Sequence, residues 1–266
     1  MKLKNRFLPA MLLFGVVALS SCEKSDQDRV TPEIEQGTIS QILADSSKVT
    51  SFNYAGQTVT QINHYEKESG NLESFEKFER DSKGKLTKAS THNGSNHALL
   101  SEQVYTYSVK GTLEKTTSTY FNNGKEEYST YASYDYTPEQ NLEKKTVYEG
   151  TGDKAKAKSY TVYEVLPNGN YTQEELYVID DKGQAKLFST TTFSYDSNQN
   201  PFYEFAEPGI ASSPNNLIAA STVVHGTKKN YKYAYSYTYD EAGKPVTQTV
   251  VKPNGNRETY SYVYGK

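Results

Sequence analysis

From about residue 50 onward, large side chains with apolar bodies alternate with small polar ones. The clearest run is Tyr231, Tyr233, Tyr235, Tyr237 and Tyr239, interleaved with Lys232, Ala234, Ser236 and Thr238. Shorter runs are Tyr105/Tyr107, Tyr134/Tyr136 and Tyr260/Tyr262/Tyr264. A period of two sends successive side chains to opposite faces of a strand, so these runs predict strands with one face buried and one wet. Tyr and Thr both suit that pleated surface. Beyond residue 50 no segment shows a convincing helical stripe; Thr38 to Ser47 alone predicts one or two helical turns ahead of the first strand.

Turn residues punctuate the alternation in two interleaved series. One runs Gly56, Gly84, Gly111, Asn141, Gly169, Asn200, Gly243; the other Gly70, Gly94, Gly124, Gly152, Gly183, Gly226, Gly255. Gly and Asn are the residues that tight turns with positive φ require. Asn93–Gly94, Asn123–Gly124, Asn168–Gly169 and Asn254–Gly255 are Asn-Gly pairs, a strong hairpin signal. Turns every 14 residues or so predict an all-β fold, a single antiparallel meander of about 15 strands. So many strands invite curling or closure, which removes exposed edges. A round barrel of that size leaves a wet lumen, whereas Tyr-lined walls can fill a flattened one, so a Tyr-filled barrel is expected. Both series skip once, by 43 residues, between residues 183 and 243. One insertion accounts for both gaps: Pro201 to about Asn216, rich in Pro and carrying Phe202, Tyr203, Glu204, Phe205 and Glu207. Phe202 and Phe205 are expected to plug an open barrel end, with a binding loop as the other use of the segment.

The first 22 residues differ in kind. Lys2, Lys4 and Arg6 precede a 13-residue apolar stretch, Phe7 to Leu19, which is too short to span a membrane as a helix. Leu19–Ser20–Ser21–Cys22 follows, and Cys22 is the only cysteine in the chain. Small residues before a lone Cys make a lipobox, so residues 1–22 read as a lipoprotein signal peptide and Cys22 as the lipid attachment site. Residues 23–37 are polar and charged and read as a flexible tether to a domain at 38–266. The acids after Cys22 resemble the export signal of Bacteroidota surface lipoproteins, which favours the outer face of the outer membrane over its periplasmic face.

Charge narrows the partners. Outside residues 1–22 the chain carries 32 acids and 26 bases, a net of −6, which gives no basic surface for nucleic acid. With Cys22 acylated no thiol is left for disulfides, metal ligation or nucleophilic attack.

Phe193-Ser-Tyr195-Asp196, Asn200-Pro201-Phe202-Tyr203, Pro214-Asn215-Asn216-Leu217-Ile218, Tyr235-Ser-Tyr237-Thr-Tyr239-Asp240-Glu241-Ala-Gly243 and Tyr260-Ser-Tyr262 occur in that order. The series resembles a family of Bacteroidota lipoproteins catalogued as a domain of unknown function with a porin-like fold. The Tyr-x-Tyr-Asp-x-x-Gly units also resemble YD (rearrangement-hotspot) repeats, whose proteins coil many copies into cargo shells; six or seven units are too few for a shell. The resemblances imply a porin-like or YD-repeat-like β domain over residues 38–266 and assign no catalytic residues.

Candidate chemistry is sparse. His92 and His97 flank Asn93–Gly94 and could meet as a metal site, against the simpler reading of solvated hairpin-tip residues; His64 and His225 stand apart. Paired carboxylates for glycoside cleavage are numerous, but runs such as Glu73 to Asp81 read as solvated strand faces. Asp81-Ser-Lys-Gly84, Asp180-Asp-Lys-Gly183 and Asp240-Glu-Ala-Gly243 look like calcium-loop fragments and read as Asx-type turns. The Tyr stripes are expected to line the core, with exposed sugar-stacking platforms and lipid-facing girdles as alternatives. The expectation is therefore a lipid-anchored envelope module that binds or scaffolds, needs no cofactor or metal, and is not an enzyme. Its partners would be the membrane, through the lipid, and a glycan or an envelope protein. The alternatives are a glycan-active enzyme or surface glycan-binding protein, and an outer-membrane pore.

Overall fold

Sixteen antiparallel strands run in sequence order around one closed barrel, the first paired with the last. The computed structural model describes residues 37–150, 152 and 155–265. The strands are β1 (Ile39–Ala44), β2 (Ser47–Ala55), β3 (Thr58–Tyr65), β4 (Leu72–Arg80), β5 (Leu86–Asn93), β6 (Leu99–Tyr107), β7 (Leu113–Asn122) and β8 (Lys125–Tyr136). The second half holds β9 (Leu142–Glu149), β10 (Lys156–Val165), β11 (Tyr171–Ile179), β12 (Ala185–Gln199), β13 (Asn215–Val224), β14 (Asn230–Tyr239), β15 (Pro245–Val251) and β16 (Arg257–Tyr264).

The strand beyond the expected fifteen is β1, where the sequence predicted helical turns. Asp45 and Ser46 join β1 to β2 with φ of 47° and 70°, a tight left-handed turn made without glycine, so the turn grid missed it. Ile39, Ile42 and Ala44 then face inward beside Tyr264, Tyr262 and Tyr260 of β16, and that pairing closes the ring.

A five-residue turn recurs at the rim where β1 begins and β16 ends. Its first N–H bonds the fifth carbonyl and its fourth N–H the first, as in Asp81–Lys85, Ser108–Thr112, Leu166–Asn170 and Asp240–Lys244. Asp81 Oδ1 and Asp240 Oδ1 each accept two backbone N–H bonds of their turns, so these Asp residues are Asx caps, as read from the sequence. In β8–β9 the left-handed fourth residue is Gln140 (φ 67°) rather than the neighbouring Asn141. Among the Asn-Gly pairs, Asn123–Gly124 makes a two-residue turn with both φ positive. Asn93–Gly94 does not: that loop runs on to Ala98 and turns left-handed at His97. Gly94 serves close packing instead, since a Cβ there would sit 2.0 Å from the Leu72 carbonyl oxygen.

The alternating Tyr residues point inward. Several hydroxyls bond to the carbonyl of a neighbouring strand's first residue: Tyr107 to Leu86 (2.7 Å), Tyr195 to Tyr171 (2.6 Å) and Tyr264 to Pro245 (2.8 Å). Tyr237 makes the matching bond to Leu217 (3.0 Å). Each ring buries apolar area while its tip satisfies a backbone acceptor, which Phe could not do. Many outward positions are polar: Thr238 bonds Thr247 (2.6 Å), Thr249 bonds Thr259 (2.9 Å), and Lys88 pairs with Glu79 and Glu102. The wall is thus aromatic inside and mixed outside, where polar pairs are interspersed with exposed apolar side chains such as Val104, Val223 and Val263.

Candidate functional site

The insertion between β12 and β13 folds back into the barrel. Its neck is clamped by the Asn residues singled out in the sequence. Asn200 Oδ1 accepts from the Phe202 N–H (3.0 Å), and its Nδ2 donates to the Ser213 carbonyl (3.0 Å). Asn215 Nδ2 donates to the Asn198 carbonyl (3.1 Å), and Asn170 Nδ2 donates to Asn215 Oδ1 (2.9 Å). Between these clamps Tyr203–Phe205 forms one turn of 3-10 helix. Phe202 meets Tyr262 edge-on at 5.6 Å, and Phe205 meets Tyr54 at 6.0 Å. Further along, Ala211 packs on the opposite cluster of Leu113, Tyr134 and Tyr171. Gly209 lies against Tyr134 with φ +84°, where a Cβ would be 2.5 Å from the ring. The segment is therefore a plug joining two halves of the lining, as Phe202 and Phe205 led us to expect.

Beside the plug lies a cavity of about 230 Å³. Its walls are mainly aromatic and aliphatic: Phe52, Phe193, Phe202, Phe205, Tyr235 and Leu217 among them. Three carboxyls share it: Glu76 from β4, Glu174 from β11 and Glu207 from the plug. Glu207 accepts hydrogen bonds from the Tyr105 hydroxyl and from Gln103 Nε2 (3.4 Å). Burial raises its carboxyl, while the Tyr105 bond and the charge of Lys145 draw it back down. Lys145 itself is lowered by burial. Burial pushes Glu174 up to about 7 against a hydrogen bond from Thr191. Burial, with the charge of Glu207 adding to it, holds Glu76 well above the usual carboxylate range. Glu76 Oε2 is enclosed and has no hydrogen-bond partner, and the same is true of His64 Nε2. These two orphans come from adjacent strands: Ile62 pairs with Glu76, and His64, two residues on, with Ser74. Burial pushes His64 down to about 2, so it is neutral at physiological pH.

This cavity was not foreseen. The run Glu73 to Asp81 reads as a solvated face, and Glu73, Glu79 and Asp81 are indeed exposed. Glu76 is not, because it shares the inward parity of Phe78 and Ile62. The signal was ambiguous, since Phe75 lies on the other parity. There Phe75 is covered by His92, stacked at 4.5 Å, and by His97, edge-on at 5.6 Å. The two His residues do come together, but around that ring, and among the described residues no group of three His, Cys, Asp or Glu is placed to hold a metal ion. Tyr233, Tyr235, Tyr237 and Tyr239 are lining residues, partly buried, while Tyr231 at the rim is exposed. Cys22, the signal peptide and the tether up to residue 36 lie outside the described residues.

A different set of tyrosines does face outward. Tyr131 stacks on Tyr148 at 4.3 Å and Tyr160 on Tyr177 at 4.7 Å, across β8 to β11. Lys115 sits over Tyr131 and Lys144 over Tyr160.

No protein-family model matches the chain, and no curated protein matches it. Among solved structures it is similar to a porin-like protein from Bacteroides uniformis ATCC 8492, at 14% identity over 86% of this chain and 99% of that one, TM-score 0.40. A porin-like protein from Bacteroides vulgatus ATCC 8482 is similar at 11% identity over the same shares, TM-score 0.39. A TcdB2-TccC3-Cdc42 structure is similar at 13% identity over 82% of this chain and 13% of that one, TM-score 0.35.

Proposed function

We propose that this is a lipid-anchored envelope protein, held at the outer membrane through Cys22, whose barrel stands in water and binds a partner without turning it over. The observation that carries this reading is the polarity of the wall. A barrel that crosses a membrane turns an apolar band outward and a polar lumen inward. Here an aromatic set lines the lumen, the outward positions mix Thr, Ser and Lys with single apolar and Tyr side chains, and the plug occupies the interior. That arrangement favours an anchored, water-facing module over the pore. The test is fractionation of cells expressing the protein and its Cys22→Ala variant. The parent is expected with the membranes, labelled by palmitate, and the variant unlabelled and extractable without detergent. A variant that still needs detergent would refute the anchor and revive the membrane-spanning reading.

The outward tyrosine stacks support a second reading, a glycan-binding face, because paired rings flanked by Lys offer stacking surfaces for sugars. A polysaccharide panel with Tyr148→Ala and Tyr160→Ala tests it; retention of soluble glycans by the parent and not by the variants is expected.

A further inference from the structure

The strongest unexplained feature of the molecule is an enclosed carboxyl oxygen, Glu76 Oε2, with no partner inside a largely aromatic and aliphatic cavity. A buried acceptor left unsatisfied costs roughly 1–3 kcal/mol, so a group that donates a hydrogen bond to it would be stabilised there. The size of the space is informative: an engineered cavity of about 150 Å³ takes benzene. One of about 230 Å³ therefore has room for a single ring with a short substituent.

The charge is informative too. Lys145 acts on Glu207, but among the described residues neither Glu76 nor Glu174 is in a salt bridge. The lining thus holds more acid than base, and its walls include the faces of Phe and Tyr rings, which attract cations. An ionised carboxyl cannot stand alone in such a place, but it can stand beside a cation that neutralises it. Ile210 of the plug lines the cavity and is itself 54% exposed, so the cavity borders the protein surface there.

From these observations we infer that the cavity is a binding site for a small organic cation, an ammonium group carried on an apolar or aromatic body, with Glu76 as its principal counter-charge and Glu174 as the second. This deepens the binding reading above and rests on it. Binding would release to solvent the proton that burial keeps on Glu76, the ammonium would then donate to Glu76 Oε2, and the apolar body would lie among Phe52, Phe202 and Phe205.

Isothermal titration of the purified full-length protein with three probes of one shape tests the assignment: phenethylammonium, phenethyl alcohol and phenylacetate. The ammonium is expected to bind at least about tenfold more tightly than the alcohol, a preference of roughly 1.4 kcal/mol, and the anion not at all. Glu76→Gln is expected to abolish that preference while melting no lower than the parent, since it removes a buried ionisable group. Glu174→Gln is expected to reduce it, and serves if the first variant does not fold. If the alcohol or the anion binds as tightly as the ammonium, the cation assignment is wrong; if both variants keep the preference, the ammonium is held away from these carboxyls and the assignment to this cavity fails. If none of the probes binds at millimolar concentration, both the assignment and the cavity as a ligand site fail. Membrane anchoring is untouched by either result, because the Cys22→Ala fractionation measures it separately.

Discussion

Glu174 offers a quantitative check on the buried carboxyls. Its carboxyl is held at about 7 in the folded barrel, against 4.5 for an ordinary glutamate. A group raised in this way favours the fold in its protonated form. Its contribution is fully present below pH 4.5 and is lost as pH rises through about 7. Each tenfold change in proton activity between those limits is worth about 1.4 kcal/mol. The interval therefore corresponds to about 3 kcal/mol of stability lost on going from pH 4.5 to pH 8. Glu174→Gln removes the titration, keeps nearly the same volume and leaves an amide that can still bond Thr191. Other groups titrate over the same range in both proteins, so the informative quantity is the difference between their curves. Thermal melts of the parent and the variant at half-unit steps from pH 4 to 8.5 should diverge, the variant gaining on the parent as pH rises. At roughly 2–4 °C per kcal/mol for a domain of this size, the divergence should reach about 6–12 °C. Curves that stay parallel across the range would show that Glu174 ionises in the folded state as easily as in water, and would refute its burial in the cavity.

Inward and outward positions of one strand should separate cleanly. Tyr237→Ala is expected to cost about 3 kcal/mol or more, losing a large ring and the bond to the Leu217 carbonyl; Ser236→Ala should stay within about 0.5 kcal/mol in the same urea titration. Replacing residues 203–214 with a short Gly-Ser linker removes the plug contacts of Phe205 and Ala211, and calorimetry should show a drop beyond about 8 °C; an unchanged melting temperature would mean the two halves of the lining do not need the plug. Gly209→Ala should weaken the plug by itself, because a Cβ at that positive φ meets the Tyr134 ring at 2.5 Å; limited proteolysis is expected to cut faster near Ile210 in the variant than in the parent.

The strands from β2 onward, the inward face of the alternating Tyr runs and the place of the insertion were legible in the amino-acid sequence. The reason is physical: a strand has a period of two, Tyr can fill a core and still bond a carbonyl, and left-handed turns select Gly and Asn. Where local chemistry was silent or ambiguous, the reading missed. Asp45 and Ser46 turn left-handed without glycine, which hid β1 and with it the strand that closes the ring. Asn93–Gly94 carried a turn signature, but Gly94 answers to the nearness of Leu72, a residue from another hairpin. The cavity is the clearest case of something only the tertiary structure decides. Glu76 sits in a charged run, and Glu174 has Glu175 beside it, so neither differs from a solvated acid by composition or by neighbours. What sets them apart is the parity of their strands within a closed ring and a plug that returns Glu207 to the same space from the far side of β12. Parity within a strand is a local property; which residues across the barrel share an enclosed volume is fixed by closure, and closure depends on the pairing of β1 with β16 at the two ends of the domain.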